Sequence, residues 1–201
     1  MTGDKDYYRE GEERFGFLSA RLYIISSLIP TFRKFHRFVI DDLKDFNFKN
    51  ILDIGSGNGK VLTTLAEEKK GFLGTGLDPS SSMRKISSGS AKKKGVSGKI
   101  KFTGGSCREL PENEKYDLIF TSLSFHHWKD RVECIPSIMN HLSNNGSFNI
   151  YEILNDDSFK KLMVASHLMR ASQFKIISSD LSLDLTLKEQ GEFIRATFRK
   201  K

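Results

Sequence analysis

Cysteine is scarce in this sequence of 201 residues. The two cysteines, Cys107 and Cys134, are far apart in the sequence and are expected in different structural units. Two thiols cannot build a disulfide framework, and neither has the CxxC or Cys/His spacing of a zinc site. The cysteines therefore predict neither a disulfide-stabilised fold nor a metal centre.

Long apolar segments are missing as well. The longest candidate, residues 18–30, is interrupted by Arg21 and several serines. It is shorter than the roughly 20 apolar residues that cross a bilayer. The N-terminal segment MTGDKDYYREGEER is polar and lacks the apolar region of a secretion signal. These absences argue against membrane insertion and favour a cytoplasmic protein.

The charge balance is basic, with 32 Lys and Arg against 25 Asp and Glu and a formal net charge of +7. Such an excess permits an anionic partner such as RNA. The basic residues form two groups in the sequence: Arg84, Lys85, Lys92, Lys93, Lys94, Lys99 and Lys101, and then Arg195, Arg199, Lys200 and Lys201. No aromatic residues interleave with the lysine run, as stacking on single strands requires. A solvated face is favoured, and RNA remains the alternative.

From residue 50 onward, short apolar runs alternate with longer amphipathic stretches, which is typical of parallel α/β organisation. The pattern predicts strands over 50–54, 72–77, 100–103, 116–122 and 147–153, and helices over 60–69, 80–94, 131–142 and 156–171. QFKIISSDLSL and EFIRATFRK predict two more strands joined by the polar stretch 184–191, and alternation in the last predicts an antiparallel strand with one wet face. The predicted fold is therefore an α/β Rossmann-like, seven-stranded, mostly parallel sheet with an antiparallel last strand and helices on both faces.

The domain prediction divides the chain into an N-terminal helical extension, residues 1–47, and a ligand-binding domain, residues 48–201. One or two helices are expected within 19–46, interrupted by Pro30. Their phenylalanines favour packing against the sheet over a ligand box. The aromatic segment 7–17 could cover an acceptor pocket as a lid, or it could be a frayed tail.

The strongest local signal is the segment ILDIGSGNGK, an apolar strand followed by Gly55, Gly57 and Gly59. A tight turn from strand to helix needs glycine where φ is positive or where the backbone approaches a ligand. Lys60 occupies the position of the third glycine in the G-x-G-x-x-G dinucleotide fingerprint, and no G-K-[ST] of a P-loop follows. The loop therefore lacks the standard arrangement for a pyrophosphate, which disfavours a nicotinamide oxidoreductase.

A second landmark is Asp78, at the end of GFLGTGLD. A carboxylate at the tip of the second strand can accept two hydrogen bonds from a ribose diol. Pro79 suits the first turn of the helix that follows, where a missing N–H costs nothing. Asp78 could instead merely cap that helix. Its position behind the glycine loop favours the ribose contact.

Together these segments resemble class I S-adenosylmethionine-dependent methyltransferases of the type that methylates quinones and other small molecules. LDIGSGNG is similar to the first motif of that family, D-x-G-x-G-x-G, and GLDPSSSM resembles the second. GGSCRELP resembles the third, often G-D-A-x-x-L-P, YDLIFTSLSFHHWKD the fourth, and HLSNNGSFNIYEI the turn and fifth strand after it. The resemblance covers residues 48–155 and implies transfer of the methyl group of S-adenosyl-L-methionine to an acceptor.

The resemblance also implies the cofactor-binding residues. The glycine loop would cradle the methionine and ribose, the acidic strand tip would hold the ribose hydroxyls, and the third motif would lie beside the adenine. The implied residues are Asp53, Gly55, Ser56, Gly57, Gly59, Asp78, Pro79, Met83, Ser106, Cys107, Ser122 and Leu123. Ser106 departs from the family pattern, because an Asp commonly stands there and a hydroxyl offers no carboxylate to the adenine.

On the acceptor side, His126 and His127 follow the fourth predicted strand, at the edge where open α/β sheets bind ligands. An imidazole there could act as the catalytic base and deprotonate a hydroxyl or amine. Alternatively, the two histidines could pack and orient the loop. Trp128 could be a wall of the acceptor pocket or part of the core, and Glu152 is a weaker candidate for acceptor contact.

The sequence disfavours some classes of methyl acceptor but does not identify the acceptor. The chain has no N/D-P-P-Y/F motif, which resembling enzymes use on amide nitrogens, and no paired catalytic cysteines for pyrimidine carbon 5. A small-molecule acceptor is favoured. The alternatives are methylation of RNA or protein, or a module that binds S-adenosylmethionine without catalysis. The oligomeric state stays open.

Overall fold

The computed structural model describes residues 5–8, 10, 30–154 and 169–201. Within them the helices are α1 (Pro30–Lys44), α2 (Lys60–Glu68), α3 (Ser81–Lys93), α4 (Arg131–Asn140) and α5 (Ala171–Asp180). The strands are β1 (Asn50–Ile54), β2 (Leu73–Leu77), β3 (Ile100–Thr103), β4 (Tyr116–Ser122), β5 (Leu142–Ile153), β6 (Asp184–Gln190) and β7 (Phe193–Arg199). A short 3-10 turn, Phe125–His127, follows β4.

The seven strands form one sheet in the order β3-β2-β1-β4-β5-β7-β6. Strands β1 to β5 pair in parallel, and β7 pairs antiparallel with both β5 and β6. This architecture confirms the predicted mostly parallel sheet with an antiparallel last strand. The strand order reverses between β1 and β4, and such a switch point opens a crevice at the carboxyl ends of the strands.

Two apolar layers cover the sheet. On one face, α1, α2 and α3 contribute residues such as Phe35 and Leu62, and on the other, α4 and α5 contribute Ile135 and Phe174. The predicted core packing of the phenylalanine stripe is confirmed, since the ring centroids of Phe35 and Phe193 lie 5.4 Å apart. Because both faces are covered, the central strands β1 and β4 are largely buried on both sides, and a ligand can reach them only at their ends.

The prediction for the C-terminal region is partly wrong. QFKIISSDLSL was expected as a strand, but Ala171–Asp180 is helix α5. Its buried residues Phe174 and Ile177 are three positions apart, on one helical face, and the Gln173 side chain accepts a hydrogen bond from Arg170 N at 2.8 Å. The polar stretch expected as a connection is β6, an edge strand in which half-buried leucines alternate with exposed residues.

The expected wet face of β7 is also wrong, because β7 lies between β5 and β6 under helix α1. Arg195 on β7 has a side chain only 13% exposed and bonds to Asp42 of α1 at 2.8 Å. The same carboxylate accepts a hydrogen bond from the Tyr151 hydroxyl at 2.8 Å and pairs with Lys188 at 2.5 Å. This Asp42 cluster ties α1 to β5, β6 and β7.

Some predicted elements fall outside the described residues. The predicted helix over 156–171 lies largely in the undescribed segment 155–168, and the expected helix before Pro30 lies in 11–29. Strand β5 begins at Leu142, earlier than expected, with an irregular register where Tyr116 and Leu118 of β4 pair with it. No helix in the described ranges is both long and apolar enough to span a bilayer.

Candidate functional site

The glycine loop between β1 and α2 lies directly against the carboxyl end of β2. The amides of Gly55 and Ser56 donate to the Leu77 carbonyl at 2.9 and 2.8 Å. The amide of Gly57 donates to Asp78 Oδ2 at 2.8 Å. The glycine loop and the acidic strand tip, far apart in sequence, are therefore hydrogen-bonded neighbours.

Two of the three loop glycines are required by space as well as by conformation. Gly55 has φ +77°, and a Cβ there would lie 2.0 Å from Ser124 Oγ. Gly59 has φ +72° at the start of α2, and a Cβ there would lie 2.6 Å from Phe102 Cζ. Gly55 thus brings the loop close to the end of β4, whereas Gly59 packs the start of α2 against β3.

Asp78 both caps the turn after β2 and faces the cleft. Its Oδ1 accepts a hydrogen bond from Ser80 N at 2.9 Å, and its Oδ2 accepts from Gly57 N. Burial raises the pKa of Asp78 to about 6, although the two backbone donors and Arg84 oppose that shift. An ionised carboxylate has about four lone-pair sites, so two remain for a ribose diol. The cap and the ribose contact are therefore compatible.

Asp53 lies behind the loop rather than in the cleft. It is 1% exposed, and within the described part of the chain its Oδ1 has no hydrogen-bond partner. Burial, together with the nearby charge of Asp78, raises the pKa of Asp53 well above its ordinary value. Both causes favour the neutral acid of Asp53.

A cleft that is open to solvent lies at this edge of the sheet. Nine of the residues predicted from the sequence line it: Gly55, Gly57, Asp78, Pro79, Met83, Ser106, Cys107, Leu123 and His127. The other five, Asp53, Ser56, Gly59, Ser122 and His126, are not among the lining residues.

The loop after β3, residues 104–110, forms one end of the cleft. Ser106 Oγ accepts a hydrogen bond from Arg108 N at 3.3 Å, and Ser106 pairs with Glu109 in an isolated antiparallel bridge. Cys107 and Cys134 were expected in separate units, but they are in contact. A hydrogen bond from the Cys107 thiol is the main cause that lowers the pKa of Cys134.

The two histidines after β4 have different surroundings. His126 Nδ1 lies 2.8 Å from Glu152 Oε2, and the two side chains are 3% and 0% exposed. Glu152, expected to contact the acceptor, is therefore buried against His126. His127 lines the cleft, with its ring centroid 4.1 Å from that of His126.

Trp128 lies both along the cleft and in the core. It lines the cleft and is also 8% exposed in the core, with its ring 5.2 Å from that of Phe125. Its indole Nε1 donates to Ser124 Oγ at 3.0 Å. Because Ser124 also lies against Gly55, this hydrogen bond links the glycine loop to Trp128 in the wall of the cleft.

Three lining residues were not singled out in the sequence, Ile54, Arg108 and Ser124, whereas a fourth, Tyr8, belongs to the segment 7–17 that was expected as a possible lid. Ile54 and Ser124 adjoin predicted motif residues, so their position at strand ends could have indicated them. Arg108 reaches the N-terminal segment by donating to the Tyr7 carbonyl at 3.2 Å. No local sequence pattern indicates a contact between two residues so far apart in the sequence.

The sheet order and this cleft are those of α/β proteins that bind a ligand at the carboxyl edge of a Rossmann-like sheet. Residues 51–146 match the family model described as a methyltransferase domain. A demethylmenaquinone methyltransferase from Bacteroides fragilis is 25% identical over 173 residues, covering 81% of this chain and 71% of that protein. A ubiquinone biosynthesis O-methyltransferase from Rickettsia canadensis is 30% identical over 102 residues, covering 51% of this chain and 42% of that protein.

The fold is also similar to that of solved methyltransferases. A SAM-dependent methyltransferase from Aquifex aeolicus aligns with a TM-score of 0.77 and 16% identity, covering 92% of this chain and 98% of that one. Residues 51–146 therefore belong to a methyltransferase domain, and the fold is that of class I S-adenosylmethionine-dependent methyltransferases. The residues present fit the cofactor of that class, since Gly55 leaves no Cβ in the loop and Asp78 offers a carboxylate to the cleft.

Proposed function

We propose that this methyltransferase acts on a small, ring-containing acceptor that carries a hydroxyl group. The observation that carries the proposal is the continuity of the cleft from Asp78, at the ribose end, to His127 and Trp128 at the other. An aromatic wall beside a titratable imidazole suits a flat, weakly polar acceptor. The relatives that act on demethylmenaquinone and in ubiquinone biosynthesis support a quinol-like ring.

The cofactor-binding roles proposed from the resemblance are as follows. The loop from Gly55 to Gly57 and the Asp78 carboxylate hold the ribose and methionine, while Met83 and Cys107 border the purine. Leu123 forms the floor near the methyl group. Its φ of +49° is unusual for a non-glycine residue, and its amide donates to the Tyr151 carbonyl at 3.1 Å. Such strain is often kept where backbone position matters for a site.

S-adenosylmethionine supplies an electrophilic methyl group on a sulfonium, which is transferred by in-line displacement. The protein contributes chiefly by aligning donor and acceptor and by excluding water. His127 accepts the proton of the acceptor hydroxyl as the oxygen becomes nucleophilic. Glu152 accepts a hydrogen bond from His126 Nδ1 and, at 3.3 Å, from His126 N, which fixes the 3-10 turn that carries His127.

The distribution of basic residues supports a small molecule over RNA. Lys101 on β3 and Arg195 on β7 lie on strands separated by β2, β1, β4 and β5, so the two basic groups lie towards opposite edges of the sheet. Lys101 pairs with Glu114 at 2.9 Å, and Lys94 pairs with Glu67 at 2.6 Å. These pairs reduce the positive charge that the first group offers to a phosphate backbone.

The domain division and the location remain proposals. We propose that residues 1–47 act as an N-terminal extension to a catalytic domain over 48–201, and that the protein is cytoplasmic. Helix α1 packs into the sheet core through Phe35 and Val39, both fully buried. The division therefore marks sequence segments with different roles, and α1 is part of the folded domain.

Transfer from S-adenosylmethionine carrying a labelled methyl group tests the proposal. The full chain is offered a demethylated quinol, a catechol and total RNA, and the label is expected in the ring compounds. His127→Gln is expected to lower kcat on the order of a hundredfold without changing the affinity for S-adenosylhomocysteine. His141→Gln is the matched control, since His141 lies on the α4 C-terminus and bonds to the Ser137 carbonyl at 2.8 Å.

The outcomes separate the alternatives. Label in RNA alone would refute the small-molecule proposal. Tight binding of S-adenosylmethionine with no transfer to any acceptor would favour a non-catalytic module. Equal activity of wild type and His127→Gln would remove His127 as the base.

A further inference from the structure

Residues Lys5–Tyr8, called the strap below, lie on the loop that follows β3. The Lys5 ammonium forms an ion pair with Glu109. Arg108 Nη2 donates to the Tyr7 carbonyl at 3.2 Å. Both partners belong to the loop that borders the purine end of the proposed cofactor site, so the strap and that loop are held together by two charged groups.

The ring of Tyr7 occupies a seat that exists only because residue 104 is glycine. A Cβ on Gly104 would lie 2.4 Å from Tyr7 Cε2. The guanidinium carbon of Arg84 lies 5.8 Å from the centroid of the same ring. Arg84 also donates to the carbonyls of Asp78 and Pro79 at 2.9 and 3.0 Å. The ring of Tyr7 therefore packs against Gly104 and Arg84. Arg84 in turn contacts the backbone of Asp78, whose carboxylate lies at the cleft.

Tyr8 is the strap residue that reaches the cleft itself. It lines the cleft together with Asp78, Met83 and Ser106. Its amide donates to Asp6 Oδ1 at 3.1 Å, which bends the strap at this point. With Tyr7 seated on Gly104, Tyr8 faces the space in which the nucleoside is proposed to bind.

From this geometry we infer that Tyr8 is a ligand-binding residue, which closes the purine end of the cleft over the adenosyl group. Tyr7 is its positioning residue and acts through the Gly104 seat. This inference rests on the proposed function, because it requires an adenosyl ligand in this cleft. An aromatic ring against a base contributes enough binding free energy for a change of about tenfold in affinity. Since the strap must move before the ligand leaves, most of that change is expected in the dissociation rate.

The test uses the full chain with two ligands, S-adenosylhomocysteine and methylthioadenosine, which lacks the amino acid part. Trp128 is the sole tryptophan and lines the cleft, so its fluorescence reports binding and release in a stopped-flow instrument. Tyr8→Ala removes the ring, and Gly104→Ala blocks the seat of Tyr7. Gly98→Ala is the matched control, because a Cβ there meets nothing within 4 Å.

Both Tyr8→Ala and Gly104→Ala are expected to raise the dissociation rate of both ligands about tenfold, with Gly98→Ala like wild type. Circular dichroism checks that each variant is folded. If wild type binds the ligands and both variants release them at the wild-type rate, the inference is overturned while the proposed function stands. A defect in Tyr8→Ala limited to S-adenosylhomocysteine would place Tyr8 at the amino acid part and also overturn it. If wild type binds neither ligand, the proposed function fails, and the inference fails with it.

Discussion

We predict that the proposed ribose contact of Asp78, the buried carboxylate at the end of β2, makes cofactor binding sensitive to acid. Burial raises the pKa of Asp78 to about 6 from its ordinary value of 3.8. Ribose hydroxyls donate to the ionised carboxylate, so the charged form is the one that binds. We therefore expect the affinity for S-adenosylhomocysteine to have its maximum value above pH 7 and to fall as the pH drops through 6.

The magnitude follows from the ionised fraction. When only the ionised form binds, the apparent Kd is the intrinsic Kd divided by that fraction. One pH unit below a pKa of about 6, about one protein in eleven is ionised. The Kd at pH 5 is then about elevenfold higher than at pH 8, and about fourfold higher at pH 5.5.

Acid unfolding through Asp78 does not explain such a loss. Its native pKa lies above the unfolded value, so the native state takes up the proton more readily. Keeping Asp78 ionised in the folded state lowers the free energy of unfolding by about 3 kcal/mol. This destabilisation is present above pH 6 and disappears as the pH falls towards 3.8. Protonation of Asp78 therefore favours the folded chain while it weakens binding.

Calorimetric titration between pH 5 and 8 measures this dependence, with circular dichroism at each pH as the check on folding. Asp78→Asn is expected to bind at least tenfold more weakly at pH 8, about 1.4 kcal/mol, and to show no pH dependence. His127→Gln is expected to retain the wild-type dependence, since its imidazole lies at the other end of the cleft. A flat wild-type profile, or an elevenfold change that persists in Asp78→Asn, would refute the reasoning.

Two further substitutions test the loop and the scaffold. Gly55→Ala is expected to lower the affinity for S-adenosylhomocysteine more than tenfold by calorimetry, because its Cβ would lie 2.0 Å from Ser124 Oγ. Gly71→Ala, with a similar φ of +84° and open space around it, should bind like wild type, and equal behaviour of the two variants would contradict the steric argument. Asp42→Asn is expected to destabilise the fold by about 3 kcal/mol in urea unfolding, since it leaves the Arg195 guanidinium buried without its carboxylate. A loss below about 1 kcal/mol would mean that solvent compensates that charge.

The parallel half of the fold was predictable because each of its signals is local. Strands β1 and β4 are continuous apolar runs, and the glycine loop marks the turn between β1 and α2. The C-terminal part was harder, since Phe174 and Ile176 in QFKIISSDLSL alternate with polar residues as in a strand, and the helical spacing of Phe174 and Ile177 is short. The polar strand β6 gains its stability from pairing with β7 rather than from its own composition, and composition therefore did not reveal it.

The candidate functional site likewise has one part that the sequence predicts and another that it does not. Residues of the glycine loop and the strand tips lie within recognisable motifs, and nine of the fourteen predicted site residues line one cleft. The contact between His126 and Glu152 depends on the register of β4 against β5, which no single segment encodes. The position of Tyr8 depends on the ion pair between Lys5 and Glu109 and on the hydrogen bond from Arg108 to the Tyr7 carbonyl. Each joins residues more than a hundred positions apart in the sequence. Such contacts follow only from the assembled fold.

The Asp42 cluster has a consequence for the order in which the chain can fold during its synthesis on the ribosome. Asp42 emerges 146 residues before Lys188 and 153 residues before Arg195. Until those cations arrive, sequestering the aspartate from water would leave a charge uncompensated, which is costly. Helix α1 can form early, but its docking is expected to wait for the final hairpin of β6 and β7. Residues of β6 and β7, which are translated long after α1, therefore complete the packing site of that helix.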